Sequence, residues 1–203
     1  MNKVLIISTL ILLNVIFWSD TLLSTNTETF KVTQVSAELT QVYDIHSESL
    51  NQRVGGNLGE FAPDFSLIDL NGKTISLDQF QGKNVLLNIW ASYCPACVHE
   101  MPMLDEVAQD HENLIVIGIN AGEHQNTVRS FMDQTHISYP VAVDATGEVA
   151  LNYQAIRLPA TWLINDQGRV IWKKFGGISR ENIEFQLQEI EKISGALEKS
   201  QGF

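Results

Sequence analysis

Hydrophobic and polar positions divide the chain into three stretches. Val4 to Trp18 is almost wholly apolar, broken only by Ser8, Thr9 and Asn14, with Lys3 before it and Asp20 after it. Residues 24–57 are polar and rich in Thr, Ser, Gln and Asn. From Leu58 onward, short apolar runs alternate with amphipathic ones, as in a folded α/β domain. Phe65–Leu70 and Lys73–Leu77 flank Asn71-Gly72 and predict a β-hairpin. Val85 to Trp90 is a near-continuous apolar run interrupted only by Asn88, which suits a strand buried on both faces. A helix is predicted from Cys94 to Asp110 and a second apolar strand over Leu114–Ile119, together a parallel βαβ unit. Val128, Phe131 and Met132 mark the inner side of a helix near Gln125–Gln134. Tyr139–Val143 reads as a short strand and Glu148–Tyr153 as a helical turn or two. Thr161–Asn165 and Val170–Lys174 flank Asp166-Gln167-Gly168 as an antiparallel hairpin. Ser179 is the expected N-cap of a last helix, whose buried stripe is Ile183, Leu187, Ile190 and Ile193. The pattern predicts a mixed central sheet, mostly parallel at its centre, with helices on its faces.

The amino-terminal apolar run of about 15 residues falls short of the roughly 20 that span a bilayer unless it extends to Leu23. It reads as a signal peptide or an uncleaved signal anchor. Val35-Ser36-Ala37 has the letters of a cleavage site but lies too far downstream, and no cysteine is placed to carry a lipid. An uncleaved anchor over residues 1–23 is the favoured reading. Lys3 leads it and Asp20, Glu28 and Glu38 follow, which puts the bulk of the chain outside the cytoplasm. Residues 24–57 read as a tether. Val32, Val35, Leu39 and Val42 form one short helical face within it, too short for a lasting coiled coil. Gly55-Gly56 and Gly59 mark a flexible boundary, so the folded domain is expected to span residues 58–203.

The net charge of −11 excludes nucleic acid as a partner, because nothing supplies a phosphate-neutralising surface. Two cysteines, Cys94 and Cys97, cannot form a disulfide scaffold, so their role is chemical. Proline is favoured at the first helical position, so Pro95 places Cys94 at the N-cap. There its sulfur meets unpaired N–H groups and the positive end of the helix dipole, which favour the thiolate. Cys97 falls in the first turn, and Met101, Leu104 and Ala108 carry its face into the core. Cys94 is therefore the attacking sulfur and Cys97 the resolving one. Zinc would need further ligands that His99 alone does not complete, and haem attachment would need His where Val98 stands. A purely structural disulfide would close a tiny loop and stabilise little. Glu100 lies one turn beyond Cys97, close to the inward face. A partly desolvated carboxylate there could move a proton to or from sulfur, and an ordinary surface glutamate is the equal alternative. Pro102 should kink the helix. Local sequence does not distinguish Leu158-Pro159 from any other X–Pro pair.

Trp90-Ala-Ser-Tyr-Cys-Pro-Ala-Cys, preceded by a strand and followed much later by Leu158-Pro-Ala-Thr-Trp-Leu-Ile164, resembles the thioredoxin superfamily. The closer resemblance is to membrane-anchored, extracytoplasmic thiol–disulfide oxidoreductases of the ResA/TlpA type. It is carried also by Phe61-Ala-Pro-Asp-Phe65, Asn71-Gly-Lys73, Asp144-Ala-Thr-Gly-Glu148 and Gly168. It implies a thioredoxin-like α/β fold with an N-terminal β-hairpin and a central insertion from about Asn120 to Leu151. It also implies a cis Pro159 beside the sulfurs and a substrate surface of Trp90, Tyr93, Pro95, Leu158 and Pro159. Glu100 matches an acidic residue that tunes the active site in that family, and Asn88 stands where thioredoxin carries a buried Asp. Tyr93 replaces the commoner Trp, and Pro-Ala lies between the cysteines in place of Gly-Pro or Glu-Pro.

The implied activity is reduction of protein disulfides, with apocytochrome c as the family substrate and a CcdA-type membrane thiol transporter as electron donor. No cofactor and no metal are expected. A general or spore-envelope disulfide role is the near alternative. A peroxiredoxin-like peroxidase is weaker, because its Pro-x-x-x-Thr-x-x-Cys pattern would need Pro and Thr where Leu87 and Ala91 stand. A redox-inactive binding module is disfavoured by the presence of both cysteines.

Overall fold

In the computed structural model the chain is described over residues 53–201, with side chains through Lys192. The anchor expected over residues 1–23, the tether up to residue 52 and the Ile193 side chain lie outside the described residues. Among the described residues no helix is long and apolar enough to cross a membrane. In chain order the elements are β1 (Ser66–Ile68), β2 (Thr74–Ser76), a 3-10 turn (Leu77–Phe80), β3 (Asn84–Trp90), α1 (Pro95–Asp110), β4 (Leu114–Ala121), α2 (Gln125–Met132), β5 (Val141–Asp144), α3 (Glu148–Asn152), β6 (Ala160–Ile164), β7 (Val170–Phe175) and α4 (Arg180–Gln201).

The five-stranded sheet has the order β5-β4-β3-β6-β7. β3, β4 and β5 run parallel, and β6 and β7 join antiparallel. The mixed sheet and flanking helices match the expected α/β class. Alternation along β3 sorts its side chains between two layers. Val85, Leu87 and Ile89 pack with Phe65, Ile117, Ile119, Tyr153 and Trp162 on one face. Leu86 and Trp90 pack with Cys97, Met101, Leu104, Val107, Ile183 and Leu187 on the other, beneath α1 and α4. Ser179 caps α4 reciprocally with Asn182: its hydroxyl accepts from the Asn182 N–H at 3.4 Å, and Asn182 Oδ1 accepts from the Ser179 N–H at 3.4 Å. α1 runs unbroken through Pro102, which lies on the exposed side, where water can take the carbonyl it leaves unpaired.

Three local details differ from the sequence pattern. The β1–β2 turn is wider than two residues, because the Asp69 carboxylate accepts from the N–H groups of Asn71 and Lys73, both at 2.8 Å. β5 begins at Val141 rather than Tyr139. The Ser138 and Tyr139 N–H groups are diverted to the buried Asp105 carboxylate of α1, at 2.7 and 3.2 Å. Residues 53–57 pack against the domain: Gly56 O accepts from Trp162 Nε1 at 3.0 Å. A Cβ on Gly56 would lie 2.6 Å from the Tyr153 carbonyl oxygen, so only glycine permits that approach.

Candidate functional site: a disulfide at the amino end of α1

β3 delivers the chain to the carboxyl end of the sheet. The Cys94 N–H donates to the Ala91 carbonyl at 3.1 Å and closes a turn. α1 then starts with Pro95 at its first position and Cys94 as extended N-cap. Cys94 and Cys97 form a disulfide. The Cys97 N–H points at Cys94 Sγ at 3.3 Å, a donor the helix itself leaves free. Cys94 is half-buried and Cys97 fully buried, so solvent reaches one sulfur in preference to the other. His99 points outward.

Glu100 is only 4% exposed. Its Oε1 accepts from Asn88 Nδ2 at 2.8 Å, and its Oε2 from the Ile178 N–H at 3.0 Å. Asn88 Nδ2 also donates to Thr161 Oγ1 at 3.0 Å, across the β3–β6 pairing that sets these two residues opposite each other. Burial pushes the Glu100 carboxyl above the ordinary carboxylate value, against the opposing pull of these hydrogen bonds and of His99 and Lys174.

The Leu158–Pro159 peptide is cis. Ile89 pairs with Ala160, so Pro159 falls at the same end of the sheet as Trp90. Leu158 packs on the cluster that contains Cys97 and the half-buried Cys94. The Pro159 carbonyl accepts from the Gly176 N–H at 2.7 Å. Tyr93 is 73% exposed and Pro95 is exposed, so both face outward beside Cys94. Trp90, expected on the substrate surface, is instead fully buried. Even-numbered residues of β3 point beneath α1, and its ring packs on Phe131 at 5.6 Å between centroids. Trp90 supports the site from inside and cannot touch a substrate. A cleft of about 560 Å³ near Phe61, Phe80, Lys83 and Asp166 lies at the opposite end of β3, away from the sulfurs.

The redoxin family model matches residues 57–190. The chain belongs to the redoxin family. This redoxin is 36% identical over 135 residues to the thiol-disulfide oxidoreductase ResA of Bacillus thuringiensis subsp. konkukian, covering 66% of this chain and 78% of the relative. It is 34% identical over 144 residues to the ResA of Halalkalibacterium halodurans, covering 70% and 82%. Among solved structures it is similar to StoA from Bacillus subtilis, with TM-score 0.54 and 25% identity over 60% of this chain and 93% of that one. It is also similar to the exposed lipoprotein thioredoxin of Streptococcus pneumoniae, with TM-score 0.59 and 26% identity over 63% and 99%. The fold is thioredoxin-like, and the redoxin is a thiol–disulfide oxidoreductase of the ResA type.

Sequence reasoning missed three groups in this redoxin. Ile178 supplies a backbone N–H to Glu100 from a loop 78 positions away, which no local pattern signals. Asn120, buried in β4, and Glu123 just beyond it hold the Ser92 segment. A lone Asn in an apolar strand was a usable signal for Asn120, as it was for Asn88.

Proposed function

We propose that this chain is an extracytoplasmic reductase of protein disulfides working by dithiol exchange. The observation that carries the reading is the asymmetry of the disulfide: a half-buried Cys94 at a helix N-terminus over a fully buried Cys97. In the reduced protein the Cys94 thiolate attacks one sulfur of a substrate disulfide, and the other leaves as a thiolate that takes up a proton. Cys97 then loses its proton and attacks Cys94 Sγ. The Cys94–substrate bond breaks, and the second substrate thiol departs. The substrate gains two electrons and two protons, and Cys94–Cys97 is left oxidised.

Glu100, buried beside the Cys97 turn, is the group assigned to accept and return the Cys97 proton, because its raised pKa matches it to a thiol better than an exposed glutamate would be. The exposed Tyr93 and Pro95 and the half-buried Leu158 form the face that meets substrate, while Pro159, itself buried, shapes the loop that presents Leu158. Residues 1–23 anchor the chain in a bacterial cell membrane and residues 24–52 tether the domain that follows. The substrate is apocytochrome c, with electrons delivered by a CcdA-type membrane thiol transporter. The ResA relatives and the apolar amino terminus support this placement.

Full-length Cys97→Ala expressed in the native host should accumulate mixed disulfides on Cys94. Apocytochrome c among the trapped proteins is the expected result. A different set of trapped proteins removes that substrate and leaves the exchange reading standing. No trapped protein at all removes the exchange reading.

A further inference from the structure

The turn that presents Cys94 leaves one backbone donor to be explained. Ala91 to Cys94 closes on itself through the Cys94 N–H, so the Ser92 N–H, one step into the turn, cannot be satisfied within it. It donates to Glu123 Oε2 at 2.7 Å. The Ser92 hydroxyl donates to the other oxygen, Oε1, at 2.6 Å. Oε2 accepts a second bond, from Asn120 Nδ2, at 2.6 Å. Three short bonds to one carboxylate are of the charge-assisted kind, stronger than neutral pairs.

The carboxylate is itself firmly placed. Asn120 is fully buried and pairs in register with Trp90, so it comes from the strand beside the one that leads to the cysteines. Between Asn120 and Glu123 the chain reverses at Gly122, whose φ of +76° favours glycine, and the Gly122 N–H is fastened to the Asp144 carbonyl of β5 at 2.8 Å. The turn after β3 and the end of β4 thus meet at one side chain, which holds the residue two positions before Cys94, while β5 fastens the backbone one residue ahead of it.

We propose that Glu123 is a positioning residue for the exchange reaction: by gripping both hydrogen-bond donors of Ser92 it fixes where Tyr93 and the Cys94 sulfur stand when a protein disulfide docks. The proposal rests on the dithiol-exchange reading above. Glu123 touches neither sulfur in this arrangement and acts through the turn. Glutamine at this position can reproduce the grip. Its carbonyl oxygen can accept from the Ser92 N–H and Asn120 Nδ2, while its amide N–H donates to the Ser92 hydroxyl. Alanine can do none of this.

The test is steady-state reduction of insulin disulfides by the full-length chain and by its Glu123→Ala and Glu123→Gln variants, with thermal midpoints measured alongside. Glu123→Ala should lose about tenfold or more in kcat/KM, since small misplacements of a reacting group carry costs of that size. Glu123→Gln should stay within about threefold of the parent, because it keeps the three hydrogen bonds. Three results overturn the assignment: an alanine variant as fast as the parent, a glutamine variant as slow as alanine, or a rate loss that merely follows the unfolded fraction. The second result would assign the effect to charge. An inactive parent chain is a separate outcome that removes the exchange reading itself.

Discussion

On one face of β3, Val85, Leu87 and Ile89 enter a cluster built almost entirely of carbon. Its two polar tips are led away to backbone carbonyls, Tyr153 Oη to Pro63 at 2.7 Å and Trp162 Nε1 to Gly56 at 3.0 Å. On the other face the same alternation places Leu86, Asn88 and Trp90 under α1. Here the polar groups stay in the core and bond to one another, as in Asn88 with Glu100 and Thr161. Some find no protein partner, among them Trp90 Nε1, Asn120 Oδ1 and Tyr139 Oη. Both faces are buried, and the helix α1 that covers the second carries two buried carboxylates, Glu100 one turn from Cys97 and Asp105 further along. Burying polar groups costs free energy unless they are fully bonded. The carbon face can supply stability while the α1 face spends some of it to keep an acid near sulfur.

The sharpest way to break this contrast is to cut into the carbon face. Leu87→Ala should lower the unfolding free energy by about 2–5 kcal/mol, read by urea denaturation. The rate of insulin reduction per folded molecule should not change. A parallel loss of rate would mean that the two faces are not separable.

Glu100→Gln tests the other face with a smaller effect. Glu100 has a raised folded pKa, so between the ordinary carboxylate value and that raised value the folded state holds a proton that the unfolded state has released. Glu100 therefore subtracts stability as pH climbs through this interval, and the glutamine variant lacks that loss. The urea midpoint of the variant should gain on the parent as pH rises, and the pH profile of thiol reactivity should shift. A gap that moves in the parent's favour with rising pH would show ionised Glu100 at ease in the core.

Tyr139→Phe should change least. The hydroxyl lies in the core with no protein partner, so removing it should alter the unfolding free energy by less than about 1 kcal/mol. A loss well beyond that would reveal a bond that the carbon-versus-polar contrast leaves out.

Periodicity made the order and type of the elements legible, because β3 and β4 are apolar runs with few polar interruptions and α1 and α4 are amphipathic. Pro95 made the placement of the two sulfurs legible, Cys94 at the N-cap and Cys97 in the buried first turn, because a helix start is a local event. Glu100 was half legible: helical spacing brought it near the inward face, but its second partner, Ile178, is set by tertiary packing. Trp90 misled because a residue beside a site motif need not face the site, and strand alternation turns it inward. Glu123 was invisible because its task is to satisfy a distant backbone N–H, a need that exists only once the turn at Ser92 has formed. The cis peptide before Pro159 followed from resemblance, since local residues do not decide it.

The short span Gly176–Ile178 bears on any attempt to move this chemistry to another scaffold. Its first N–H holds the cis-proline loop at the Pro159 carbonyl, and its last holds the acid at Glu100 Oε2. A transplanted Cys-Pro-Ala-Cys helix would carry the sulfurs and their acid but leave behind the two backbone donors that keep loop and acid in a common frame. A faithful graft has to bring α1, the Leu158–Pro159 loop and this three-residue span together, in register, from three separate parts of the chain.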